Sequence, residues 1–220
     1  MNNIMDFWRN EWAAVTDVSE VTRVDDVLQK ASRPKWEDVY AGYPKNADGT
    51  DDLPAPQVFK KVFGDLYNEN TQKISIGNGN YTLLENACAT RISMALINAK
   101  YYFKKGNYNG QVGLYQGKKI ITQVRYLKDT LLSAPGFGMP DVVIKTSQSP
   151  YLNKNGKITL SDVRAKIGNR NGIYIIIPHP GSFRAGIGGH ATLWVATKND
   201  VIGSHHYVNC IGELYFWELQ

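Results

Sequence analysis

Asn86-Ala87-Cys88-Ala89-Thr90-Arg91-Ile92-Ser93 and, a hundred residues later, Gly188-Gly189-His190-Ala191-Thr192-Leu193-Trp194 are the two stretches whose reading decides the fold of this 220-residue chain. The first sets one of two cysteines at the start of an expected helix. Its apolar positions Ile92, Ala95, Leu96 and Ala99 fall on one stripe, Asn86 suits a cap, and Gly106 marks the expected end. The second sets a histidine at the head of an expected strand, after a loop that holds Gly186, Gly188 and Gly189. Unpaired N–H groups at a helix N-terminus favour a thiolate. A histidine brought from elsewhere in the chain can take the thiol proton, and the pair is the minimum apparatus of a cysteine hydrolase.

Upstream of the cysteine the pattern is helical. Phe7, Trp8, Trp12, Val15, Val21, Val24, Val27 and Leu28 recur at helical spacing, predicting one or two amphipathic helices within 1–32. Arg33-Pro34 breaks that run. A short helix is expected from Trp36 to the Tyr43-Pro44 stop, a polar acidic loop over 46–56, and a helix over 58–67. Downstream, 122–132 reads as a helix closed by the Pro135 to Pro140 breaker. From Gly172 the character turns to β: the apolar run 173–177, a second strand over 191–196, and one or two aromatic-rich strands within 208–219. Helices precede strands instead of alternating with them, so the expected class is α+β with a mainly antiparallel C-terminal sheet. The division is an N-terminal extension, 1–32, and a main domain, 33–220.

Composition narrows the function. No uninterrupted apolar span is long enough for a membrane helix. Asp6, Arg9 and Glu11 interrupt the first residues, which lack the basic and apolar regions of a cleaved secretory signal. The formal net charge is +5, yet residues 1–32 hold six acids against three bases, so the remainder is strongly basic. A basic body favours an anionic polymer. Its basic residues are scattered, and no nucleic-acid motif accompanies them.

Each chemical candidate has a plain alternative. Cys88 could be a buried small hydrophobe or half of a Cys88–Cys210 disulfide, and Cys210 itself reads as a core thiol. His190 has the better case among the histidines. His179 reads as a loop residue, and the His205-His206 pair lacks a third ligand, so metal is set aside. For the group that orients the imidazole, Asp200 in the Lys198-Asn199-Asp200 turn and His205 both stand. A turn centred on Lys198-Asn199 would pair Thr197 with Asp200 and set Thr192 opposite His205, placing His205 on the side of His190. Charge chemistry favours Asp200.

Together with Arg33-Pro34 through Tyr43-Pro44 and the closing Tyr215-Phe216-Trp217-Glu218-Leu219, the two stretches resemble the fourth family of type VI secretion amidase effectors. The resemblance covers roughly residues 33–220 and implies a papain-like, NlpC-type fold. It also implies a toxin injected by one bacterium into another, hydrolysing the amide between D-glutamate and meso-diaminopimelate in peptidoglycan stem peptides. By position, Cys88 would be the nucleophile, His190 the general base and Asp200 the nearest match to the family's acidic third residue. The chain departs from the family at Val195-Ala196, where a polar residue and a glycine usually follow the tryptophan, and the region beyond is longer. The implied reaction is acyl transfer needing no cofactor, with helix-start N–H groups, including that of Cys88, around the oxyanion. Arg91 would meet a substrate carboxylate or a neighbouring acid. The implied partners are the stem peptides, a cognate immunity protein and the type VI apparatus, with synthesis in the cytoplasm and action in a recipient's periplasm.

Overall fold

Most helices lie in the first part of the chain, and the large sheet that collects them is built within residues 142–218. The computed structural model describes residues 32–75, 81–133, 136–146, 158–179 and 188–220. The helices expected within 1–32 and the Gly186 part of the glycine-rich loop lie outside those residues. Helix α1 (Trp36–Gly42) stops before Pro44, and α2 (Ala55–Phe63) follows Pro54, whose ring presets the helical entry. Strands β1 (Tyr67–Asn68), β2 (Lys73–Ser75) and β3 (Tyr81–Leu83) form a small antiparallel sheet, and β1 begins at Tyr67, the last residue of the helix expected over 58–67. Helix α3 (Cys88–Asn98) is buried along its whole length except its last residue. It ends well before Gly106, at Ala99 and a left-handed Lys100. The pair β4 (Tyr108–Asn109) and β5 (Lys119–Ile120) lies beside it, where Ser93 Oγ and the backbone of Ile121 exchange hydrogen bonds at 3.0 Å. Helix α4 (Val124–Leu132), strand β6 (Val142–Lys145) and helix α5 (Leu160–Ile167) lead into β7 (Gly172–Pro178), β8 (His190–Val195), β9 (Asp200–Val201) and β10 (Ile211–Glu218).

These last five strands make one antiparallel sheet in the order β6-β10-β7-β8-β9. Its register pairs Ile175 with Ala191 and Tyr174 with Thr192, so alternate residues separate two cores. Ile173, Ile175, Ala191, Leu193, Tyr215 and Trp217 pack with Cys88, Ile92 and Leu96 of α3 on one side. Tyr174, Ile176, Trp194, Leu214 and Phe216 pack with Val163 and Ile167 of α5 on the other. Covered on both faces, β7 reads as an unbroken apolar run, not an alternating one. The α+β class and the antiparallel sheet are as expected. Helix α5 is an addition that turns two layers into three.

The turn after β8 departs from expectation. Val195 pairs with Asp200 and Trp194 with Val201. Ala196–Lys198 forms a 3₁₀ turn closed by Asn199 in the left-handed region, and Asn171 Oδ1 accepts the Ala196 N–H at 2.7 Å. Thr197 is thereby taken into the turn. Strand β9 ends after two residues at a turn through Gly203, so His205 has no ladder partner among the described residues. Cys210, expected in the core, is only half-buried, at the short turn before β10.

Arg33 is buried and ties the segment before α1 to the 137–141 loop and the last strand. Its guanidinium pairs with Asp141 and donates to the carbonyls of Phe137, Met139 and Glu218. Four acceptors from the 137–141 loop and the last strand thus converge on a residue read in the sequence as part of a helix breaker.

Candidate active site

Cys88 is the first residue of α3, where the orphan N–H groups of the first turn lie. Asn86 Oδ1 accepts the Cys88 N–H at 3.1 Å, one position before the assigned cap. The N–H expected at the oxyanion therefore already points at an oxygen, and a substrate oxygen would take the place of the amide. The sulfur accepts the backbone N–H groups of Ala191 and Ala89. Burial pushes the thiol up from its ordinary value, while those donors and the Arg91 charge pull it down. Neither cysteine is in a disulfide, so the Cys88–Cys210 bridge is not formed.

His190 opens β8 opposite Ile176 and is 6% exposed. Gly189 before it has φ of +138°, and a Cβ there would lie 2.5 Å from the Ile176 carbonyl oxygen, so only glycine lets β8 start so close to β7. The donor to the Cys88 sulfur, Ala191, is the very next residue along the strand. The edge of Tyr207 meets the His190 ring at 4.9 Å between centroids, and Nε2 is buried without a hydrogen-bond partner among the described residues. Burial, with the charges of Arg91 and His205, pushes its pKa down to about 3, so the resting imidazole is neutral.

Below the pair lies a polar cluster that sequence reasoning missed except for Arg91. Arg91 donates through Nε and Nη2 to the Leu53 carbonyl at 2.9 and 2.7 Å, and its Nη1 meets Asp52 at 3.1 Å. Tyr43 donates to Asp52 at 2.8 Å and lies 3.5 Å from Thr192 Oγ1. Of the two roles weighed for Arg91, the geometry realises the pairing with a neighbouring acid. Asp52 gave no signal because 46–56 reads as an ordinary acidic loop; its only clue is Tyr43 nine residues earlier.

The two candidates for the third role part company. Asp200 pairs with Arg164 of α5 at 3.3 Å and caps its own neighbour, Val201. Its ladder partner Val195 is five residues along β8 from His190, about 16 Å of extended chain. His205 stacks on Tyr207 at 6.2 Å, and its Nε2 is 3.6 Å from Asp51 Oδ1. It thus shares the surroundings of His190. His206 instead accepts the Val208 N–H at 3.4 Å, and His179 donates its N–H to the Cys210 carbonyl. Among the described residues no group of three potential metal ligands occurs, and no helix is long and apolar enough to cross a membrane.

The family model for type VI secretion system (T6SS) amidase effector protein 4, Tae4, matches residues 84–217, a span that begins at the cysteine motif and ends in the last strand. The chain belongs to the Tae4 family. Solved Tae4 structures share its fold. The Tae4–Tai4 effector–immunity complex from Enterobacter cloacae is 19% identical, with a TM-score of 0.57 over 86% of this chain and 99% of that one. Tae4 of Salmonella typhimurium, in complex with the immunity protein Tai4 from Enterobacter cloacae, is 18% identical, with a TM-score of 0.56 over 86% and 100%. Tae4 from Enterobacter cloacae alone gives 19% and 0.58 over 86% and 98%. None of the curated proteins matches. As a Tae4 member the chain is a type VI effector, an antibacterial amidase acting on peptidoglycan, delivered toward the periplasm of a recipient cell.

Proposed function

We propose that this Tae4 member hydrolyses the amide between D-glutamate and meso-diaminopimelate, with Cys88 as nucleophile and His190 as general base. The observation that carries this reading is the convergence of α3 and β8, where the N–H of Ala191, adjacent to His190, reaches the Cys88 sulfur. His190 takes the thiol proton and the sulfur attacks the D-glutamyl carbonyl. The C–N bond then breaks as His190 returns the proton to the departing diaminopimelate amine. Water, deprotonated by His190, cleaves the thioester and regenerates the thiol. The N–H groups of the first turn of α3 lie where the negative oxygen develops. A cognate immunity protein covering this cleft and recognition by the type VI apparatus complete the reading, in line with the Tae4–Tai4 complexes.

Cys88→Ala is expected to lower the release of new amino groups from purified diaminopimelate-type peptidoglycan by at least about 10,000-fold, with the fold intact. Activity within a few fold of native would remove Cys88 from the chemistry.

For the third role we favour His205, backed by Asp51, over Asp200. His205→Ala is expected to lower kcat by about tenfold or more. Asp200→Asn, which loosens only the α5 contact, should leave kcat within about threefold of native. A large kcat loss in Asp200→Asn with His205→Ala unaffected would reverse the assignment.

A further inference from the structure

At the far end of α3 from the thiol, the chain leaves the helix through Tyr101, Tyr102 and Phe103 and turns at Lys104-Lys105. These residues face Tyr126 of α4 across a cavity of about 470 Å³, the size of a small-ligand site. Its floor is aromatic and held in place. Tyr101 is packed edge-on by Phe103 and Phe137, at 5.6 and 5.1 Å between centroids. Tyr102 is 49% exposed, and Lys118 Nζ lies 4.2 Å from its ring centre. The rim is cationic. Lys104 and Lys105 are exposed, and the lining acid, Asp129, is already paired with Lys128 at 2.8 Å.

Flat rings with electron-rich faces suit the C–H faces of a pyranose, and cations at the rim suit carboxylates. A purely apolar ligand would leave the lysines without a role. A bare polyanion would leave Tyr102 without one. We propose that this cavity binds the glycan strand of peptidoglycan, an acetylated amino sugar stacking on Tyr102 while Lys104 and Lys105 meet carboxylates of neighbouring stem peptides. This rests on the chain's reading as a peptidoglycan amidase. The eleven residues of α3 set the two sites about 16 Å apart, so a sugar held here and a stem peptide cut at Cys88 belong to one polymer and not to one small molecule.

The test uses the full chain carrying Cys88→Ala, which leaves its substrate uncut, sedimented with purified insoluble sacculi at several salt concentrations. Adding Tyr102→Ala is expected to weaken sacculus binding about fivefold. The double change Lys104→Glu and Lys105→Glu should weaken it by about tenfold or more and flatten its salt dependence. With Cys88 retained, Tyr102→Ala should slow release from sacculi while hydrolysing a soluble disaccharide-tetrapeptide at the native rate, which also shows that it folds. If Tyr102→Ala fails to fold, the lysine double variant decides. Unchanged sedimentation of the soundly folded variants overturns the proposal. So does full competition by polyglutamate with none by a chitin oligosaccharide, and so does a loss confined to binding of the purified immunity protein. A native chain that releases nothing, while Cys88→Ala still sediments through Tyr102, would remove the amidase reading and leave this site standing.

Discussion

Replacing His190 by asparagine is expected to lower amidase turnover by at least about 1,000-fold and, in the same protein, to make the fold less sensitive to acid. The two effects have one cause, the burial of the ring. Its pKa falls to about 3 in the folded chain, against about 6.5 for an exposed histidine. Above pH 6.5 the ring is neutral in both the folded and the unfolded chain. Below it, the unfolded chain binds a proton that the folded chain refuses until about pH 3. Stability therefore falls as pH drops from 6.5 toward 3, by roughly 4 kcal/mol from this one group. Asparagine does not titrate, so His190→Asn should lose less stability over that window than the native chain. Denaturant unfolding at pH 7 and pH 4 measures the difference. Parallel pH dependence in the two proteins would mean that the ring is hydrated, and a small turnover loss would mean that another group accepts the thiol proton.

Arg91→Met is expected to destabilise the fold by about 3–5 kcal/mol, because it removes the cation beside the buried Asp52 carboxyl, whose pKa burial already raises, and leaves Tyr43 as its donor among the described residues. For a domain of this size the thermal midpoint should fall by about 10 °C. Arg91→Lys keeps the charge but not the fork that holds the Leu53 carbonyl and Asp52 together, and should fall between the two. The double variant Arg91→Met with Asp52→Asn removes both charges and should recover part of the loss. Substrate binding predicts the opposite pattern. If the guanidinium meets a substrate carboxylate, Arg91→Met raises KM and leaves the melting midpoint in place.

Legibility followed how local the signal was. Cys88 at a helix start and His190 at a strand start were readable because a stripe of Ile92, Ala95 and Leu96 and the glycines before His190 lie within a few residues of each. The sheet was readable from the apolar run in β7, whose burial on both faces follows from its composition. Helix α5 has a weak apolar stripe, and its sequence signal is the reciprocal capping box of Thr159 and Asp162. The short strands β1 to β3 carry no periodicity, being two or three residues long, and β1 and β2 take their place through Tyr67 and Ile74 in the core under α2. The hairpin register missed because Asn199 adopts a left-handed conformation after a 3₁₀ turn, which one sequence does not separate from a two-residue turn. Asp52, Tyr43 and Tyr207 were invisible for another reason. Each reaches the site from a separate segment, and only the folded chain brings Arg91, Thr192 and His190 to them. Arg33 is the clearest case, since its acceptors lie more than a hundred residues away.

The most direct test of the central claim is the mass of the muropeptides obtained when purified diaminopimelate-type peptidoglycan is treated with the native chain or with Cys88→Ala and its glycan strands are then cut with a muramidase. The account predicts disaccharide-dipeptides ending in D-glutamate and peptides beginning with diaminopimelate, present with the native chain and missing with the variant. Products cut at any other bond, or the same products from both proteins, would contradict it.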